Sequence, residues 1–492
     1  METSPIPASL EQVEEKLRAE AGLGSSFDLI AKPMEAGNRR LLFFYVSGFV
    51  KDEVMTEVMA RLSYVRRGEL GPDPVGELLA GYVPHMQVKA TDDFREAVDY
   101  VYAGGSAIFV EGETRAILAD VKTLPMRGVE EPDLERVVRG SRDGFVEVLL
   151  TNVTLLRRRI RDPNLCLEMS RVGRRSGTDV CLAYIRDIAD DALVKAVKDK
   201  LAAVNERVDG LTLADKQLEE LLIGKGWNPY PMVRYSERPD VVATHLLEGH
   251  VVLFVDTSPS AMILPTTFFH LLQHAEEYRQ TPFIGSYVRW VRYIGVLASI
   301  FLLPLWFLLV INPELKPEGL EFLGPQKKAH LPLLVQFFLA EVGIDLMRLA
   351  AVHTPTPLAT AMGLVAAILI GDVAVKTGFF VNEVIMYIAV AAVGMFATPN
   401  YELSMANRIT RLLLLALTAL FKVSGLVAGT TLVLLVLIMQ RSYNTPYMWP
   451  FIPFNAKALG TMLIRRPFGA VIRRPSINKP KNSVRKATGR RR

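Results

Sequence analysis

The sequence predicts a duplicated α/β domain, followed by an all-α domain with several membrane spans. Three observations lead to this fold class. The 492-residue chain has a positive mean hydropathy although 22% of its residues are charged. Its long apolar segments all lie after residue 288, and the polar half repeats one pattern of strands and helix. A protein that lies wholly within a membrane rarely has so many charged residues. The high hydropathy and the high charge content therefore belong to different parts of the chain.

The repeat in the polar half predicts two similar modules. In each copy, an apolar run typical of a buried strand precedes apolar residues at i, i+4 and i+8, which form one face of a helix. The ladders are Val54, Val58, Leu62 and Leu193, Val197, Leu201. A glycine-led apolar strand and a second strand then follow in both copies. We therefore predict an N-terminal segment at 1–35, a first module at 36–140, and a second module with a basic junction at 141–287.

Five apolar segments predict the membrane domain at 288–440. They occupy 290–311, 331–350, 358–376, 383–397 and 409–439. The first spans about 33 Å as a helix, enough for a hydrocarbon core of about 30 Å. Positive charge before the first segment and after the last predicts that both ends are cytoplasmic, which requires four or six crossings. Either one segment is interfacial or re-entrant, or the last segment crosses twice.

The tail at 441–492 is basic and contains several prolines. Residues 457–492 include 12 Lys or Arg and no acid, so the rest of the chain is net negative. The basic isoelectric point therefore belongs to the tail, and we expect no nucleic-acid partner. We predict that the tail binds the anionic inner leaflet of the membrane, whereas the alternative is a disordered tail without a lipid role.

No motif in the chain indicates catalysis. Phosphate-binding loops, nucleophile elbows and zinc signatures do not occur, so we expect no catalytic residue, cofactor or metal. Cys166 and Cys181 cannot build a disulfide framework. His270 and His274 have a spacing that can bind a metal, but an amphipathic helix next to the membrane explains them more simply.

A basic cluster lies at the junction of the two modules. It consists of Arg157, Arg158, Arg159 and Arg161, with Arg174 and Arg175 nearby in the sequence. One interpretation is a set of ion pairs that joins the modules. The other is a clamp for an anion or for an acidic surface of a partner.

Charged residues inside the apolar segments are the candidate ion pathway. Glu341, Asp345 and Arg348 follow one another at i, i+4 and i+7, and Asp372 and Lys376 repeat the pattern on the next segment. Ionisable groups in a membrane are costly and should face protein or water. The functional hypothesis is a cation pathway, in which Arg348 pairs with Asp345 or restricts the path. The alternative is a structural network of buried pairs or an interfacial helix.

Several distinctive strings of residues lie between about 140 and 450. They are Arg157-Arg-Arg-Ile-Arg-Asp-Pro-Asn-Leu165, Gly173-Arg-Arg-Ser-Gly-Thr178, Tyr235-Ser-Glu-Arg-Pro-Asp240, Leu247-Glu-Gly-His250, Pro265-Thr-Thr-Phe-Phe269 and Pro399-Asn-Tyr-Glu-Leu403. Together, these strings resemble one family, the A subunits of spore germination receptors.

The resemblance implies a multi-pass protein of the spore inner membrane, with its N-terminal domain and tail on the core side. It implies a homo-oligomeric channel for monovalent cations that acts with other germination proteins of that membrane. A non-conducting scaffold that organises those proteins is the alternative. We see no inverted repeat of the kind found in secondary transporters.

Overall fold

The computed structural model describes residues 4–83, 87–123, 135, 137–207, 214–224, 227–319, 323–353 and 373–485. The chain divides into two compact units. The α/β unit comprises Met1–Gly226, Val233–Pro265 and Phe468–Arg492. The helical unit comprises Trp227–Met232 and Thr266–Pro467. The division falls after residue 265, ahead of the boundary at 287 that we placed from the sequence, and it separates 441–467 from the rest of the tail.

The first module of the α/β unit is a five-stranded antiparallel sheet with helices on both faces. Its strands have the order β1-β2-β4-β5-β3. The elements are Leu10–Glu20 (α1), Leu29–Ala36 (β1), Arg39–Val46 (β2), Asp52–Ser63 (α2), Pro74–Gly81 (α3), Val88–Thr91 (β3), Phe94–Tyr102 (α4), Ser106–Val110 (β4) and Ala116–Ala119 (β5).

The second module repeats this arrangement. Its sheet has the order β6-β7-β9-β10-β8, which matches the first sheet strand for strand. The elements are Leu149–Arg159 (α5), Leu165–Val172 (β6), Thr178–Ile185 (β7), Asp191–Arg207 (α6), Asp215–Ile223 (α7), Arg234–Ser236 (β8), Pro239–Leu247 (α8), Val251–Val255 (β9) and Ala261–Leu264 (β10). Tyr45 in β2 and Tyr184 in β7 occupy equivalent positions, so the predicted duplication of the α/β fold is confirmed.

Burial on both faces explains why the central strands are continuous apolar runs. In β2, Phe44 packs with α1 and α4 on one face, while Phe43 packs with α2 and α3 on the other. The first sheet begins at Leu29, ahead of the module boundary at residue 36. Strand β1 has no apolar alternation and contains Pro33, which an edge strand tolerates.

The helical unit consists of long apolar helices and short polar ones. The elements are Phe268–Leu271 (α9), Ala275–Arg279 (α10), Pro282–Ile311 (α11), Leu333–His353 (α12), Ala374–Lys376 (α13), Asn382–Phe396 (α14), Tyr401–Met439 (α15) and Ala456–Leu463 (α16). Helices α11 and α15 are long and apolar enough to cross a membrane, and α14 is a shorter apolar helix. The predicted segment at 358–376 lies almost wholly outside the described residues.

Helix α15 folds back on itself at Lys422. The backbone of Lys422 is non-helical, with φ 53° and ψ −129°. A Cβ atom on Gly429 would lie 2.9 Å from Leu414 Cδ2, and one on Gly425 would collide with the carbonyl oxygen of Leu417. A straight helix would separate residues 417 and 425 by about 12 Å. The helix therefore consists of two antiparallel arms, 401–421 and 423–439. A double crossing by the last apolar segment, one of the alternatives given above, would need such a fold-back.

Candidate functional site: buried charges in the two units

A buried carboxylate on α12 binds two arginines of α15. Arg408 Nε lies 2.9 Å from Glu341 Oε2, and Arg411 Nη2 lies 2.7 Å from Glu341 Oε1. All three side chains are at most 2% exposed. Arg408 also pairs with Asp345, one turn farther along α12. We call these four residues the helical-unit network.

Helix α15 presents the two arginines on one face. Asn400 caps the helix, because its Oδ1 accepts a hydrogen bond from the Leu403 backbone N–H at 2.8 Å. Residues 408 and 411 are then separated by i, i+3 and point the same way. Arg411 Nη1 also donates to the Ser299 carbonyl oxygen of α11 at 2.6 Å. The helical-unit network thus joins α11, α12 and α15.

Arg348 lies against aromatic rings and not against Asp345, and its alternative role in restricting the path stays a prediction. Its guanidinium lies over the rings of Phe396 and Tyr401, 5.5 Å and 5.3 Å from their centroids. Cation–π attraction holds it there. Asp345 is paired instead with Arg408, which reaches it from the facing helix.

Lys376, also part of the pathway hypothesis, is exposed on the short helix α13 and is not one of the four network residues. Lys422, another charge within the apolar segments, is exposed at the fold-back of α15. Asp372 lies outside the described residues. The structure therefore brings together Glu341 and Asp345 from the predicted set, with two arginines that the sequence reasoning missed.

The signal for those arginines was present in the sequence. We began the last apolar segment at Ile409, which excluded Arg408 and left Arg411 at its edge, whereas α15 begins at Tyr401. Two cations at i, i+3 facing two acids at i, i+4 have the geometry of a helix-bridging pair. Matching the charged stripes of different segments by sign would have found them.

The basic cluster of the α/β unit contains one fully buried arginine. Arg157 of α5 binds Asp28 through two hydrogen bonds, from Nε to Oδ2 at 2.9 Å and from Nη2 to Oδ1 at 3.0 Å. It also donates to Ser26 Oγ at 2.8 Å and to the carbonyl oxygens of Leu165 and Asp162. Since Asp28 precedes β1, this ion pair joins the first module to the second.

The remaining arginines of the cluster do not surround a common point. Arg159 pairs with Asp143 at 2.6 Å within the second module. Four further arginines are exposed, namely Arg158, Arg161, Arg174 and Arg175. Arg157 thus forms an ion pair that joins the two modules, which is one of the two interpretations of the cluster. The exposed arginines are the part of the cluster that a partner can reach.

Buried thiols and histidines add no reactive centre to this picture. Burial raises the pKa of the Cys181 thiol, which keeps it protonated and unreactive. His274 caps α10, because its Nδ1 accepts a hydrogen bond from the Glu276 backbone N–H at 3.2 Å. In the part of the chain that the structure describes, no group of three His, Cys, Asp or Glu side chains is placed to hold a metal ion.

Comparison with known proteins assigns the chain to a family. The model of the Bacillus/Clostridium GerA spore germination protein family matches residues 16–477. The chain belongs to this family. It is 46% identical over 475 residues to stage V sporulation protein AF of Bacillus subtilis (strain 168), covering 96% of both chains. It is 28% identical to spore germination protein KA of the same organism, covering 95% of this chain and 87% of that one.

A solved structure is also similar in sequence. It is the crystal structure of the N-terminal domain of the A subunit of the Bacillus megaterium spore germinant receptor GerK3. The two chains are 26% identical, with a TM-score of 0.43, over 55% of this chain and 99% of that one. The family match, together with the long apolar helices, shows a membrane protein of the spore germination type without enzymatic activity.

Proposed function

We propose that this chain is a membrane subunit of the spore germination machinery that assembles into an oligomeric channel for monovalent cations. Family membership and the cations that flank the helices support a place in the spore inner membrane, with the α/β unit and tail on the core side. The observation that carries the channel proposal is the helical-unit network. Charges at this depth in apolar helices are expensive, and they mark ion pathways or the contacts that gate them.

Within this network the two acids have different roles in the proposal. Glu341 is enclosed by two arginines, and one of them, Arg411, also binds the Ser299 carbonyl oxygen of α11, so in the proposal this group holds three helices together in the closed arrangement. The side chain of Asp345 is 39% exposed although it pairs with Arg408. Asp345 is therefore the acid that can face a water-filled path, and a ring of such acids around an oligomer axis favours cations.

Ion flux through the purified protein in liposomes tests this proposal. Asp345→Asn removes the path-facing charge and should lower cation flux or selectivity while assembly stays intact. Glu341→Gln weakens the closing contact and should raise the resting leak. Glu314→Gln, an exposed acid that follows α11, makes the same chemical change outside the network and should behave like the wild type.

Two results would overturn the channel proposal. One is wild-type protein that inserts and assembles but conducts no cation. The other is unchanged flux in both network variants. The first result favours the scaffold function, in which the exposed arginines of the second module bind an acidic surface on another germination protein.

A further inference from the structure

The last described residues of the basic tail form a closed loop. The Arg474 backbone N–H donates to the Ser483 carbonyl oxygen at 2.9 Å, and the Arg485 N–H donates to the Ile472 carbonyl oxygen at 2.7 Å. These bonds flank an antiparallel bridge between Arg473 and Val484. We call residues 473–485 the tail loop. It belongs to the α/β unit.

The tail loop binds backbone carbonyl groups of the second module. The Lys481 N–H donates to the Ile188 carbonyl oxygen at 2.9 Å, just after β7. Arg474 Nε donates to the Leu247 carbonyl oxygen at 2.7 Å, at the end of α8. Contacts of this kind depend on the path of the chain and hold an extended segment in register.

Side chains anchor the loop and match its charge. Asn478 is 3% exposed, and its Nδ2 donates to the Glu248 carbonyl oxygen at 3.1 Å and to the His250 ring. Two ion pairs flank this anchor, Lys481 with Asp191 and Arg485 with Glu248. The residues that receive the loop, 186–191 and 247–250, are called the tail site.

The surface of the first module that corresponds to the tail site is also a binding surface. Its equivalent segments are the turn after β2 and the chain between α4 and β4. Gly48 in the turn packs directly against Thr154 of α5, and the Arg157 guanidinium lies 5.5 Å from the centre of the Tyr102 ring at the end of α4. In the first module, therefore, this end of the sheet is the surface that holds the second module.

We infer that the tail site is a docking surface for a basic extended segment, and that the tail loop is its ligand. The duplication produced the same binding surface twice, and the second copy holds the chain's own tail. Docking uses Lys481 and Arg485, two of the cations that we expected on anionic lipid. The tail loop is thus a ligand of the protein, and docking competes with the attraction of the membrane surface.

Hydrogen exchange of the full-length protein in nanodiscs of neutral lipid tests this inference. The amides of residues 473–485 should be protected in the wild type. The variant Asn478→Ala/Lys481→Ala removes the buried anchor and one ion pair, so these amides should exchange about tenfold faster or more. Peptides that cover 186–191 and 247–250 should lose protection as well, because the tail site becomes uncovered.

The control is Arg466→Ala, which removes an exposed tail cation outside the tail loop and should leave exchange unchanged. Both substituted positions of the test variant are in the tail, so folding of the modules is not at issue. The inference is wrong if the tail amides are unprotected in neutral nanodiscs, or if the test variant exchanges like the wild type. It is also wrong if protection appears only with anionic lipid, since the tail is then a lipid ligand.

Discussion

The two units each contain a buried arginine–carboxylate site, and the two sites differ in how completely they are satisfied. In the α/β unit, Nε and both Nη atoms of Arg157 donate hydrogen bonds to oxygen atoms of the protein. In the described part of the helical unit, Arg411 Nε and both polar side-chain atoms of Asn407 are buried without a hydrogen-bond partner. A saturated guanidinium acts as a rigid clamp, whereas an incompletely satisfied network is easier to rearrange.

The largest effect is expected where the saturated clamp is broken. Arg157→Ala leaves Asp28 buried and unpaired, which should destabilise the α/β unit by about 3–5 kcal/mol. Thermal unfolding of the full-length protein in detergent measures this loss. Arg158→Ala, the exposed neighbour, is the matched control. Equal melting temperatures for the two variants would show that the modules do not depend on the clamp.

A smaller effect is expected in the helical-unit network. Arg411→Ala removes one of the two arginines on Glu341 but leaves Arg408 in place, so the loss should be about 1–3 kcal/mol. The same unfolding measurement applies, with Arg466→Ala as the control. A loss as large as that of Arg157→Ala would contradict the contrast between the two sites, because it would make the network a clamp as well.

A third effect, which develops only as the pH is lowered, concerns two buried histidines near the tail site. Burial lowers the pKa of His250 to about 4, and burial with the nearby Arg234 charge lowers the pKa of His245 well below its ordinary value. The unfolded chain then binds protons more readily than the folded one. Stability should therefore be constant above about pH 6.5 and fall as the pH is lowered toward 4.

Unfolding of the wild type and of His250→Gln across this pH range checks the prediction. The variant should show a weaker dependence on pH, because only His245 of these two histidines remains to titrate. If stability depended on pH in the same way in both proteins, His250 would not contribute to the loss of stability at low pH.

The duplicated fold could be predicted because its signal is local. Residues such as Phe43 and Phe44 are apolar in succession since β2 is covered on both faces, and the ladder of α2 repeats in α6. Strand β1 has no such signal, because an edge strand with Pro33 does not need apolar alternation. The fold-back at Lys422 was among the alternatives, since a 31-residue apolar segment is too long for one span.

The candidate site was less accessible to sequence reasoning, because its partners come from distant parts of the chain. Glu341 and Asp345 stood out as charges in apolar surroundings, but nothing local indicates that they meet Arg408 rather than Arg348. Arg157 has the same side chain as its neighbours, and only the position of Asp28 shows which arginine is buried. From the sequence alone, the tail cations indicate lipid binding, because their acceptors in the protein lie more than 200 residues away in the chain.

The fold-back at Lys422 also decides how the last apolar segment enters the bilayer. Its two arms are joined by a single non-helical residue. They lack a longer loop between them that would let the first arm insert before the second is synthesised. If each arm crosses the bilayer, the exposed Lys422 ammonium at the tip is carried across the hydrocarbon core, at a cost of about 2.5–3.5 kcal/mol at its centre. Close packing of the arms at Gly425 and Gly429 is available only when both are present. We therefore expect the two arms to insert together as one hairpin, and a bulky residue at Gly425 should reduce the yield of inserted protein.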